Sequence, residues 1–235
     1  MTYNNYSFSL GKGKFYLKSK TPQQGYEEVI YGMEKDKVTY HRYVDNIKGT
    51  LKYFDVKEVD YQGKKLSFLE VSLVDGEVSN KVSVPLKNSK GNYTDEVKAI
   101  LSSLNNAEVG DEYTMAMRKT ATVGKNGKEY INIVCYLNYV NQLDANGKGV
   151  STGYISYEDV PKPEKDEDED LGTTWNWKPV NKFYAQKVKE IQAKFPTYAK
   201  AETPQAEVVQ ETVPAPAVAQ EIAFPMLEED DDLPF

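Results

Sequence analysis

Apolar residues alternate with polar ones through much of the first 140 positions, and the period changes once. Residues 46–61 are rich in aromatic and β-branched side chains, and Gln62-Gly63-Lys64 follows as a turn signal. Residues 65–74 place Leu69, Val71 and Leu73 on one face. After the turn Asp75-Gly76-Glu77, residues 81–86 do the same with Val82, Val84 and Leu86. The spacing then becomes helical: Val97, Ile100, Leu101 and Leu104 stand at i, i+3, i+4 and i+7. Thr94 is placed to cap the helix, and Asp95 and Glu96 lie in its first turn. Two further strands are predicted over 111–120 and 129–140, joined by 121–128. In the second of them Ile131, Ile133, Cys135 and Leu137 share a face, leaving Tyr130 and Tyr136 on the other.

Three strands, a helix and two strands ending in a long hairpin is the order of the OB-fold. The expected class is therefore mainly β: a five-stranded Greek-key barrel with one helix between strands 3 and 4. An N-terminal strand extension and a C-terminal helical segment would be added to it. Residues 1–158 form this body, with roughly the first 45 as decorating strand and loop. Residues 159–172 hold the charge run PKPEKDEDED and read as an acidic loop. Residues 173–199 carry both tryptophans, Trp175 and Trp177, which read as packing anchors. They also carry a stripe of Tyr184, Val188, Ile191 and Phe195 that Pro196 ends. Residues 200–227, rich in Pro, Ala, Glu, Gln and Val without a period, read as a disordered linker to an acidic tip at 228–235.

The net charge of −7 conceals a division. Residues 1–155 hold 21 Lys and Arg against 18 Asp and Glu, whereas residues 156–235 hold 8 against 18. A mildly basic body joined to a strongly acidic tail points toward nucleic acid. One cysteine and one histidine cannot make a four-ligand zinc site, so no metal or cofactor is expected. His41 stands in TYHRYV with no nucleophile setting, and neither phosphate-binding glycine motif is present, so a non-catalytic protein is expected. Gly11-Lys12-Gly13-Lys14 reads as a basic turn. No apolar run is long enough for a membrane span, and the first residues lack the pattern of a secretory signal.

Binding a single strand needs cations along the phosphates and aromatic faces for the bases. The strands interleave both. Lys52, Tyr53, Phe54 and Lys57 lie on the first; Tyr61, Lys64, Lys65 and Phe68 lie around its turn into the second. The last hairpin adds Arg118, Lys119, Lys125, Lys128, Tyr130 and Tyr136. In an OB-fold that hairpin is one wall of the binding groove.

The sequence closes on EEDDDLPF, acidic residues running into an apolar triplet. Asp230, Asp231, Asp232, Leu233, Pro234 and Phe235 resemble the C-terminal tip of bacterial single-stranded DNA-binding proteins, with Leu233 where that family usually has Ile. The longer body is more similar to the divergent single-stranded DNA-binding proteins of phages. The resemblance implies sequence-independent binding that protects single-stranded DNA in replication, recombination and repair. It also implies a tip that recruits partner enzymes (polymerase, helicase, nuclease), with Phe235 as anchor, and can compete with DNA for the groove. Homo-oligomerisation is compatible with it, and the site of action would be the cytoplasm of a bacterial host cell. Two other readings stand beside it: a strand-annealing recombination factor, and a protein-interaction adaptor without DNA binding.

Overall fold

The computed structural model describes residues 2–30, 38–61, 63–124, 127–168 and 172–195. In chain order they form β1 (Thr2–Ser9), β2 (Lys14–Ser19), β3 (Glu27–Ile30), β4 (Val38–Val44), β5 (Ile47–Tyr61), β6 (Lys64–Asp75) and β7 (Val78–Pro85). Helix α1 (Asp95–Leu104), β8 (Glu112–Val123), β9 (Glu129–Leu143) and β10 (Gly149–Ser151) follow. The last elements are β11 (Glu164–Asp168), β12 (Gly172–Asn176) and α2 (Lys178–Gln192). The protein is mainly β. One large mixed sheet runs β10-β9-β8-β5-β6-β7-β1-β2-β4-β3, and β11 with β12 makes a separate hairpin.

The five strands expected from the sequence are all present, and their neighbour relations β9-β8-β5-β6-β7 are antiparallel throughout. They do not close into a barrel. The outer edge of β7 is taken by β1, in parallel, with Tyr6 opposite Val82, and the sheet stays open. The N-terminal residues are thus not a decoration. They supply four strands of the same sheet, and Asn4 Nδ2 donates to Asn80 Oδ1 at 3.0 Å across the parallel pair.

Alternation sorts the faces as predicted. Leu69, Val71, Leu73, Val82, Val84 and Leu86 are buried with Tyr113, Met115, Met117, Cys135 and Leu137. Each such side chain removed from water contributes about 1.5–3 kcal/mol. Helix α1 covers this face. Val97, Ile100, Leu101 and Leu104 are buried, and Thr94 Oγ1 accepts from Val97 N while donating to Pro85 O at 2.8 Å. The same hydroxyl therefore caps the helix and ties it to the end of β7. Ser103, also buried, donates to Ala99 O and Cys135 O, so α1 is held on β9 by a satisfied polar contact inside an apolar layer.

The C-terminal stripe is real. Val180, Tyr184, Val188, Ile191 and Phe195 are buried, and Phe195 lies 5.7 Å from Phe54 between ring centroids. The acidic run is not a loop where it is described: residues 164–168 pair residue for residue with 172–176. Asn176 Nδ2 also donates to Glu164 Oε2. Trp177 packs against the core, whereas Trp175 is 47% exposed. Residues 196–235, including the predicted linker and tip, lie outside the described residues.

Gly49 shows how tightly β5 is gripped. Its φ is +149°, and a Cβ there would stand 2.7 Å from Val74 O. Gly76, at φ +54°, has nothing within 4 Å of the same position. Gly76→Ala should therefore cost only the conformational term, about 1 kcal/mol. Gly49→Ala should cost clearly more, roughly 2–4 kcal/mol, because backbone must also move. Urea midpoints measure both, and equal losses would refute the close-approach account.

Candidate nucleic-acid interface

Two long hairpins run out beyond the core. On β5 and β6 the outward residues are set by a bulge. The register slips between Leu51 and Tyr53, so Lys52 is the extra residue and the alternation restarts behind it. Lys52 is exposed. Tyr53 and Lys57 then face outward opposite Ser72 and Phe68, while Phe54, opposite Val71, turns inward. Phe54 is 3% exposed and stacked near Phe195, so its expected place among base-stacking residues is corrected to the core. Tyr53 is held: its hydroxyl donates to Asp55 Oδ2 at 2.8 Å, and Asp55 Oδ1 accepts from Gln192 Nε2 of α2 at 2.9 Å.

At the tip of this hairpin Tyr61 pairs with Lys64 and Asp60 with Lys65, so the two lysines project from opposite faces. Both are exposed, and Phe68 is half-buried on the outward side. Acids are interleaved here. Glu58 and Asp60 are exposed on the same arm, and Glu70 is buried in an ion pair with Lys81 at 3.0 Å.

The β8–β9 hairpin is the more cationic arm. Arg118 faces outward opposite Val134 and points the same way as Tyr130 and Tyr136, whereas Lys119 opposite Ile133 lies on the inner side. Arg118, Lys119 and Lys128 are exposed, with Glu129 the acid at the described end of the arm. Lys125 lies outside the described residues. Tyr136 sits opposite the small Ala116, is half-buried, and meets Tyr154 edge-on at 6.4 Å. Among the described residues, no ion pair engages Lys52, Lys57, Lys64, Lys65, Arg118 or Lys119.

A second ring cluster was not anticipated. On the outward face of β2 and β4, Tyr16 stacks on His41 at 4.1 Å with planes 13° apart, and Tyr43 lies 5.9 Å from Tyr16. His41 is 1% exposed, with Nδ1 3.3 Å from the Tyr43 hydroxyl and Nε2 3.2 Å from Thr39 Oγ1. Burial, then Lys18 and Lys12, push its pKa down to about 4. The period of KFYLKS and TYHRYV marks these side chains as sharing faces. Nothing local in either stretch says that the two strands pair. Cys135, wholly enclosed, has its thiol pushed up to about 12 and stays protonated.

The fold and these arms define a mainly β protein with aromatic and cationic side chains on its outward faces. No protein-family model, no curated protein and no solved structure matches the chain. Among the described residues there is no cluster that could hold a metal ion, and no helix is long and apolar enough to cross a membrane.

The state of His41 gives a pH prediction. In the unfolded chain it takes a proton near pH 6.5, in the folded chain only near pH 4. Between those values the unfolded state binds more protons, so stability falls as the pH drops through that window and is unaffected by this group above it. The loss between pH 8 and 4.5 is roughly 2 kcal/mol. Unfolding free energies of wild type and His41→Gln, measured at both pH values, should differ in their pH dependence by that amount. Parallel curves would refute the buried neutral imidazole.

Proposed function

We propose that the protein binds single-stranded DNA without sequence preference, protects it during replication, recombination and repair, and recruits partner enzymes through its acidic closing segment. It acts by binding and carries out no catalysis. The observation that carries this reading is the β8–β9 arm, where Arg118, Lys119 and Lys128 share a hairpin with the outward rings of Tyr130 and Tyr136. Lysine and arginine on phosphates release counterions, and each base stacked on a ring contributes about 1–3 kcal/mol. Any base has a face to stack, so sequence matters little.

The connectivity supports the same reading. We take β5-β6-β7-α1-β8-β9 as an OB-fold order opened by insertion of β1 beside β7, in which case the two long hairpins are the walls of the OB groove. Lys52, Tyr53, Lys57, Tyr61, Lys64, Lys65 and Phe68 would form one wall, and Arg118 to Tyr136, with Lys125, the other. Asp230, Asp231, Asp232, Leu233, Pro234 and Phe235 would dock on a basic rim and apolar pocket of a replication or recombination enzyme. The protein would work in the cytoplasm of a bacterial host cell, and self-association is compatible with this role.

Labelled oligo(dT) should bind the chain with an affinity that falls steeply with salt, and duplex DNA should bind more weakly. Arg118→Ala with Lys119→Ala should weaken binding and flatten the salt dependence. Tyr136→Ala should cost about 1–3 kcal/mol, and Tyr136→Phe, which keeps the face, should cost little. Absence of any oligo(dT) binding at ~50 mM salt, with and without residues 228–235, would overturn the reading. It would favour a protein-interaction adaptor instead, whereas rapid pairing of complementary strands would make the protein an annealing factor.

The closing segment has its own test. Removing residues 228–235 should leave DNA affinity unchanged or raised, because five carboxylate side chains no longer compete with phosphates, and should abolish pull-down of partner enzymes. Weaker DNA binding after the deletion would count against competition, and partner recruitment unchanged in Phe235→Ala would count against docking.

A further inference from the structure

The basic turn Gly11-Lys12-Gly13-Lys14 is not part of either wall described above, yet the fold seats it against one. Gly13 has φ +62°, and a Cβ there would lie 2.9 Å from both the N and the Cβ of Lys119. With no side chain in the way, the turn between β1 and β2 lies directly on β8. The turn, β8, β9 and α1 border an open recess of about 370 Å³ lined by Leu10, Gly11, Asp95, Lys119, Ile131 and Ile133. Lys119, on the inner side of the cationic arm, and the basic turn are therefore neighbours, although more than 100 residues separate them in sequence.

Beyond the turn the outward face of β2 and β4 combines the same two chemistries. Tyr16 stands opposite Tyr43 and Lys18 opposite His41. Lys12 Nζ lies 4.1 Å above the Tyr43 ring and bonds Glu27, while Lys14 reaches Asp45 at 3.2 Å. All four members of these two ion pairs are substantially exposed, and exposed pairs of this kind contribute little to stability. A strand of phosphates can take the place of Glu27 and Asp45 at little cost and releases counterions in addition. Lys18 and Lys12 are close enough to disfavour a proton on His41, after the larger effect of its burial.

We propose that the Gly11–Lys14 turn and the outward face of β2 and β4 extend the single-stranded nucleic-acid track that begins on the β8–β9 arm. Lys12 and Lys14 hold phosphates, and Tyr16 and Tyr43 offer rings to bases. The proposal rests on the single-strand-binding reading and adds to it a contact surface on strands that lie outside the five of the OB order.

The test uses the full chain and fluorescent oligo(dT) of ~40 nucleotides, long enough to pass one domain's site size. Lys12→Ala with Lys14→Ala should reduce the magnitude of the slope of log affinity against log salt by about 1.4, the release from two single-strand phosphates. Lys182→Ala with Lys189→Ala, which removes the same charge from the exposed side of α2, should leave the slope as in wild type. In wild type, saturation with the oligonucleotide should also raise the protonation midpoint of His41, read from its ring NMR signals, as phosphates approach Lys12 and Lys18. If wild type binds but the Lys12/Lys14 variant keeps its slope, or if both double variants lose it equally, the extended track is overturned while the binding reading stands. If wild type binds no oligo(dT), both fall.

Discussion

The fold turns on β5 being gripped along both edges by different partners over different lengths. β8 takes one edge through residues 47–50, and β6 takes the other from Thr50 to the end of the strand. The crossover between these grips falls at Gly49, where no side chain could clear Val74 O. Past that point the edge left by β8 does not go bare. Leu51 N donates to Asp111 O and Leu51 O accepts from Gly110 N, after which the end of α2 brings Gln192 to Asp55 and Phe195 to Phe54. Because β8 leaves β5 at Met115, its remaining residues pair with β9 alone and become an arm. That departure frees Arg118 from the sheet interior and makes room for the β1–β2 turn against Lys119.

What was legible in the sequence was what local periodicity controls. The α1 stripe and its Thr94 cap are visible because turn-by-turn spacing and one hydroxyl decide them. The faces of β6, β7 and β9 follow from a period of two. Phe54 was misplaced because a single extra residue, Lys52, shifts the alternation, and a bulge leaves no mark in composition. The seating of β1 beside β7 was hidden for another reason. It is a parallel pairing of segments some 76 positions apart, as Asn4 and Asn80 show, and no turn residue announces such a partner. The acidic strand β11 was read as a loop because its composition cannot bury a core, but a hairpin partner can satisfy its backbone without one.

For the candidate site, side-chain type was readable and arrangement was not. Lys64 and Lys65 are adjacent in sequence yet face opposite ways, and so do Arg118 and Lys119. Each pair therefore contributes one cation to a face rather than two. The β5–β6 arm is further neutralised by its own Glu58 and Asp60, which leaves the β8–β9 arm with the less countered charge. The Tyr16, His41 and Tyr43 cluster needed the pairing of β2 with β4 to exist at all.

The chain's one cysteine and one histidine are both buried. Cys135 is enclosed under α1 and keeps its proton, so it is a poor nucleophile. His41 has neighbours on both ring nitrogens, and burial first, then Lys18 and Lys12, push its pKa down to about 4, which makes it a weak base. The imidazole forms the floor on which Tyr16 stacks, with Lys18 opposite it on β2. On the proposed reading, this neutral aromatic floor beside cationic side chains would meet a ligand that brings its own negative charge and its own rings. On the β8–β9 arm the rings of Tyr130 and Tyr136 likewise share a face with a cation, Arg118.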